Sequence, residues 1–230
     1  MPMNVQGYQK LTLLDFPGKT ACTVFTGGCN LRCPFCHNAG LVRTPLAERN
    51  ATAEVLEYLA KRRGILDGVC VTGGEPLLQP DLAEFLKQVR DLGYAIKLDT
   101  NGSLPDRLAA ILDQGLVDYV AMDIKSSPQG YGLATGADID PAVYARSVQI
   151  LKESGVPHEF RTTAVGGIHT PEDFVHIGQW LGDVPAYFIQ RFVDSGQLLG
   201  EGFHPFSLEE MEHLLTTVRE YIPAAQLRGC

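Results

Sequence analysis

The chain has 230 residues, 45% apolar and 20% charged, with 27 acidic against 19 basic side chains and a formal charge of −8. That length and apolar content suit one α/β domain with a substantial core, expected to span residues 1–230, and exclude a disordered or low-complexity chain. The acidic balance argues against nucleic acid as a partner, and no run approaches the roughly 18 consecutive apolar residues of a membrane span.

The amino terminus, MPMNVQGYQKLTLLDF, lacks the basic start and continuous apolar run of a signal peptide, so the expected location is the cytoplasm. The first predicted strand covers residues 20–26 (TACTVFT). A helix over 53–63 places Val55, Leu56 and Leu59 on one face. A second strand covers 68–72 (GVCVT), and a helix over 81–92 aligns Leu82, Phe85, Leu86 and Val89, with Gly93 able to cap its end. Further strands are predicted at 94–99 (YAIKLD), 118–124 (DYVAMDI), 158–163 (HEFRTT) and 186–191 (AYFIQR). Asp140-Pro141 and Thr170-Pro171 each read as an N-cap followed by proline at the first helical position. SLEE at 207–210 reads as a capping box before a last helix.

Alternation of strand and helix, about six times, gives a parallel sheet with helices outside. Such a sheet closes partly into a barrel or stays open as a doubly wound layer. In both cases chemistry belongs on the loops that follow the strands. The polar motifs do follow strands: GGCNLRCPFCHN (27–38), GGEP (73–76), DTNG (99–102), DIK (123–125), then Arg161, Thr162 and Thr163, then Gln190 and Arg191.

Cys29, Cys33 and Cys36 lie within eight residues of one another, spaced C-x₃-C-x₂-C. Three clustered cysteines without an export signal point to a metal site rather than to disulfides. They could hold zinc or an iron–sulfur cluster. A zinc site wants four ligands. His37 is adjacent to Cys36 and converges poorly with it on one small ion, and no second C-x₂-C pair exists. Cys22 and Cys70 fall inside predicted strands, and Cys230 ends the sequence. A four-iron cubane held by three thiolates leaves one iron open for an exogenous ligand, and the ligand count favours it.

CNLRCPFC resembles the signature of the radical S-adenosylmethionine (radical SAM) superfamily. The resemblance implies a full or partial parallel barrel, usually of six strands. It also implies a [4Fe–4S] cluster on Cys29, Cys33 and Cys36, whose open iron binds the amino and carboxylate groups of SAM. One electron then yields a 5′-deoxyadenosyl radical that abstracts hydrogen. By the same resemblance Gly73, Gly74 and Glu75 lie beside the SAM amino group, and the backbone of Phe35 lies near the adenine.

GYQKLTLLDFPGK (7–19), CHN (36–38), LDTNG (98–102), MDIK (122–125) and LRG (227–229) are similar to segments of the glycyl-radical-enzyme activases, in particular those of anaerobic ribonucleotide reductase. This implies a glycyl radical enzyme as protein substrate and a flavodoxin or ferredoxin as electron donor. It further implies a monovalent cation held by Asp99, Thr100, Ala121 and Asp123, with Lys125 pairing an anionic group of SAM and Arg161 contacting SAM or substrate. The bland readings are a radical SAM enzyme for a small molecule and a non-catalytic metal-binding module.

Overall fold

The computed structural model describes residues 3–43, 50–194 and 196–230. Eight strands form one sheet in sequence order: β1 (Val5–Thr12), β2 (Ala21–Thr26), β3 (Gly68–Gly73), β4 (Ala95–Thr100), β5 (Tyr119–Asp123), β6 (His158–Ala164), β7 (Tyr187–Arg191) and β8 (Ala225–Arg228). β1 is antiparallel to β2, and every later neighbour pair is parallel. β1 and β8 are the two edges, so the six central strands make an unclosed, partial (β/α) barrel.

The helices are α1 (Ala39–Arg43), α2 (Thr52–Lys61), α3 (Leu82–Asp91), α4 (Pro105–Asp113), α5 (Tyr131–Thr135), α6 (Pro141–Glu153), α7 (Pro171–Leu181) and α8 (Leu208–Arg219). Their starts follow the expected local chemistry. Asp140 accepts a hydrogen bond from the Ala142 N–H at 2.9 Å, satisfying a donor that the first turn of α6 leaves open. Ser207 and Glu210 exchange hydrogen bonds at 2.7 and 3.2 Å as a capping box. At α7, Asp173 accepts from the Thr170 N–H at 2.9 Å.

The sheet is buried on both faces, as parallel strands flanked by helices must be. Val69, Val71, Leu98, Met122, Phe160 and Ile189 are fully buried and pack with Leu59, Phe85 and Leu86 from the helices. Each such side chain contributes ~1.5–3 kcal/mol relative to exposure. Cys22 and Cys70 are fully buried strand residues, and Trp180 packs its ring edge-on to Tyr131.

All six strands expected from the sequence are present with ends within one residue or so. Two more were not anticipated. β1 (VQGYQKLT) carries a glycine and three consecutive exposed residues, because it is a half-solvated edge. β8 is only four residues long. The loop after β1 closes the barrel at the end opposite the polar motifs. Phe16 is 2% exposed there, packs against Tyr119, and would lie 2.9 Å from a Cβ at position 68.

Candidate active site

The polar motifs gather at one rim because seven strands run the same way. The cysteine loop leaves β2 and is strapped to its neighbours by backbone hydrogen bonds. Gly28 C=O accepts from the Glu75 N–H at 2.8 Å, the Arg32 N–H donates to Thr135 C=O at 2.8 Å, and the Gly200 N–H donates to Pro34 C=O at 2.8 Å. Gly73 sits at φ +124°, where a side chain would be strained, and a Cβ on Gly74 would lie 1.9 Å from Gly28 O. The glycine pair is therefore required by contact between two backbones.

Cys29, Cys33 and Cys36 line one cavity of about 250 Å³ together with Phe35, Gly73, Gly74, Asp99, Thr100, Asp123, Lys125 and Arg161. Burial pushes the Cys33 thiol up to about 11 and raises Cys29 as well. Such thiols become thiolates only with strong positive charge beside them, which bound metal supplies. Among the described residues no three His, Cys, Asp or Glu side chains gather around one ion position. Three thiols bordering one cavity without converging on one ion position fit a cubane better than a single zinc. His37 turns to Phe192, with ring centres 5.4 Å apart.

The far wall is an ion-pair ladder set by strand register. Asp123 is paired with Arg161 across β5 and β6, and Asp99 with Ala121 across β4 and β5. Arg161 Nε donates to Asp123 Oδ1 at 2.9 Å, and the same guanidinium reaches past the Ala121 methyl to Asp99 Oδ2 at 3.3 Å. Lys125 Nζ donates to Asp123 Oδ2 at 3.0 Å, and Lys97, 1% exposed, donates to Asp99 Oδ1. Burial alone would raise the Asp123 carboxyl, but Arg161 and Lys125 outweigh it and hold it well below the usual range. Burial works against the Lys125 charge too, and Asp123 more than compensates.

All four oxygens of Asp99 and Asp123 thus face a side-chain cation. A monovalent cation at Asp99, Thr100, Ala121 and Asp123 would share these carboxylates with three side-chain cations. The repulsion it was to relieve is already cancelled by Arg161, Lys97 and Lys125. Thr100 Oγ is turned away, donating to Glu75 Oε1 at 2.9 Å.

Glu75 is not among the residues that line this cavity. Its carboxylate is fully buried and accepts from Leu77 N–H (3.0 Å), Thr100 Oγ–H and Asn101 N–H (2.7 Å). It ties the loop after β3 to the end of β4 rather than offering charge to the cavity. Burial, opposed by those three donors, pushes its pKa up to about 7. Phe35 lines the cavity with its ring edge toward His169. His169, which had no readable role, accepts from the Val165 N–H at Nδ1 (3.1 Å) and so donates from Nε2 to Lys125 C=O (2.8 Å), pinning the end of β5.

Asn38, Thr72, Asn101, Thr163 and Gln190 also line the cavity and were assigned no role from sequence. Two of them already stood among the rim residues read from the sequence, and strand alternation gives them their face. Thr163 is two residues beyond Arg161 on the same face, and Gln190 is its register partner on β7.

The sequence profile of the radical SAM superfamily matches residues 23–181, which include the cysteine loop and the whole ladder. A protein of Methanocaldococcus jannaschii, named as a candidate glycyl-radical enzyme activating enzyme, is 30% identical over 198 residues, 82% of this chain and 79% of that one. The 7-carboxy-7-deazaguanine synthase of Methanopyrus kandleri is 31% identical over 182 residues, 67% of this chain and 70% of its own. The pyruvate formate-lyase-activating enzyme of Clostridium pasteurianum is 33% identical over 138 residues, 57% of each chain. Among solved structures, Streptococcus suis SuiB bound to S-adenosylmethionine superposes with a TM-score of 0.65 at 17% identity, covering 88% of this chain. The chain spans about half of that protein's length (48%). With a family profile covering most of its length, three thiols on one cavity and an unclosed parallel barrel, this chain belongs to the radical SAM superfamily, whose members are enzymes that use a [4Fe–4S] cluster and SAM.

Proposed function

We propose that this chain is the activase of a glycyl radical enzyme, with anaerobic ribonucleotide reductase as the expected partner and a flavodoxin or ferredoxin as electron donor. The observation that carries this reading is the similarity to the M. jannaschii activating enzyme along nearly four-fifths of that protein, joined to a cavity edged by three thiols, with His37 turned to Phe192 and Asp99 and Asp123 engaged by side-chain cations. When bound, the reduced cluster supplies one electron to the SAM sulfonium and generates the radical that removes hydrogen from the partner's glycine.

The chain's own residues have separable tasks. Cys29, Cys33 and Cys36 hold three irons. The wall of Asp99, Asp123, Lys125 and Arg161 presents fixed charge to a zwitterionic ligand without needing to reorganise. Lys125 is partly exposed on the cavity side and has donors beyond the one used on Asp123. It is the residue placed to meet a carboxylate. Gln190 and Thr163 supply neutral polar groups from β7 and β6. The sheet stays open between β1 and β8, leaving the cavity rim without a closing strand.

Similarity to the M. kandleri synthase favours a second reading, a small-molecule substrate for the same radical. Anaerobic mixing with SAM, dithionite and a candidate glycyl radical enzyme decides between them. The activase reading requires a glycyl doublet by electron paramagnetic resonance (EPR) and one 5′-deoxyadenosine per activated glycine. Cleavage of SAM without a doublet, alongside turnover of a metabolite, would favour the second reading.

A further inference from the structure

The cysteine loop meets the loop after β4 through a closed ring of hydrogen bonds that no sequence motif announces. Asn101 Nδ2 donates to Asn30 Oδ1 at 3.1 Å, Asn30 Nδ2 donates to Ser103 Oγ at 2.8 Å, and Ser103 Oγ donates to Asn101 Oδ1 at 2.6 Å. The Ser103 N–H also donates to Asn101 Oδ1, at 2.9 Å. Two donors on Oδ1 fix which way the Asn101 amide faces. Its backbone is fixed as well, by the hydrogen bond from its N–H to buried Glu75. Asn101 and Ser103 are 6% and 7% exposed, so solvent competes little.

One Asn101 amide hydrogen is used on Asn30. The other points at Cys29, with Nδ2 3.7 Å from Sγ. The Leu31 N–H approaches the same sulfur at 3.4 Å. Cys29 is thus a ligand with two nitrogen donors on its sulfur, one of them a side chain locked in orientation by a dedicated ring.

We propose that Asn101 is a tuning residue for the cluster, raising its reduction potential by donating an N–H···S hydrogen bond to Cys29. The inference rests on the reading of Cys29, Cys33 and Cys36 as cluster ligands. Reduction adds negative charge that spreads onto the cysteine sulfurs. A donor aimed at one of them stabilises the reduced form more than the oxidised form. Ser103 and Asn30 act through Asn101 and are positioning residues. The arrangement makes the cluster easier to reduce by a weak biological donor, while Leu31 keeps Cys29 bonded when Asn101 is replaced.

The test is an anaerobic redox titration of the reconstituted protein, without SAM, followed by EPR. Asn101→Leu keeps the size of the side chain and removes both amide donors. It should hold the same iron per chain as the wild type and shift the reduced-to-oxidised ratio at fixed potential about threefold to tenfold toward the oxidised form, tenfold being 59 mV for one electron. Ser103→Ala removes one of the two donors that hold the Asn101 amide oxygen, loosening the amide, and should move the potential in the same direction by less. An unchanged potential in an Asn101→Leu protein with full iron overturns the inference. If Asn101→Leu does not retain iron, Ser103→Ala decides alone, a negative shift supporting the inference and no shift overturning it. A wild type that assembles no four-iron cluster overturns the underlying cofactor reading instead, and iron analysis shows which has failed.

Discussion

Arg161 and Asp123 are register partners on neighbouring strands, and the guanidinium of the first donates to Oδ1 of the second at 2.9 Å while also reaching Asp99. One side chain therefore neutralises two carboxylates that would otherwise face each other across Ala121. Arg161→Ala removes the shared cation but leaves Lys125 on Asp123 and Lys97 on Asp99. The expected loss of stability is below the ~3–5 kcal/mol seen when a buried charge loses its only partner. SAM binding by the wild type should be indifferent to replacing sodium or potassium with tetramethylammonium. In Arg161→Ala, binding should weaken and become sensitive to that replacement, because a small cation can enter the gap. Alkali dependence in the wild type would show that a cation belongs in the ladder after all.

In the proposed reading the thiols hold the iron and the ladder meets SAM. Cys33 is nearly buried, and Cys33→Ala should abolish the four-iron cluster and all SAM cleavage. Asp123→Ala should retain wild-type iron and visible absorption while SAM affinity falls at least about tenfold, since Lys125 and Arg161 lose the carboxylate that orients them. Equilibrium binding of SAM to the oxidised cluster protein, with iron per chain measured on the same sample, checks both. Loss of iron in Asp123→Ala would contradict the division.

How much of this was legible beforehand follows from the kind of signal each feature leaves. β3 was plain in GVCVT because a strand buried on both faces must be continuously apolar. β1 was not, since an edge strand exposed on one side tolerates Gln9, Lys10 and Leu11 at exposed positions. Cys29, Cys33 and Cys36 declared themselves by spacing. The partners of Glu75 were not legible because its sequence neighbours, two glycines and a proline, say nothing about which way a carboxylate turns. That depends on three donors, two of them from residues 25 and 26 positions away. The Asn101–Ser103–Asn30 ring escaped notice for the same reason, since a separation of 71 residues leaves no periodicity to read. The ladder was half visible. The acidic ends of β4 and β5 were recognised, but Lys97, hidden inside β4, was not seen as a counter-charge.

Glu75 makes stability depend on pH in a definite direction. Its pKa is raised from 4.5 to about 7 by burial, so folding favours the protonated form. A raised folded-state pKa means that this group's stabilising contribution is fully present below the unfolded value and is lost as pH rises through the folded one. Between about pH 4.5 and 7 the Glu75 contribution should fall by about 3 kcal/mol, since each pH unit between the two values is worth ~1.4 kcal/mol. Glu75→Gln should flatten that part of the profile, measured by urea unfolding at fixed ionic strength. A slope unchanged by the substitution would mean that the carboxylate is ionised throughout.

Gly74 tests whether the glycine pair serves the fold or only the ligand. A Cβ at this position would lie 1.9 Å from Gly28 O and 2.6 Å from Gly28 C, both rigid backbone atoms in the segment that leads into Cys29. No rotamer change can relieve that clash, so the two loops must part. Parting them stretches the bond from the Glu75 N–H to Gly28 C=O and loosens the entry to the cysteine loop. Overpacking of this kind costs about 1–3 kcal/mol or more. Gly74→Ala should therefore melt several degrees lower even before any cluster is assembled, and should take up less iron on reconstitution. Gly93→Ala provides the contrast. It lies at φ +91° just past α3 with nothing within 4 Å of the added methyl, so it bears backbone strain alone and is remote from the site. Gly93→Ala should lower the melting temperature while leaving iron uptake intact. If Gly74→Ala instead keeps wild-type melting and iron and loses only SAM affinity, the glycine is there to admit the ligand and not to join the loops.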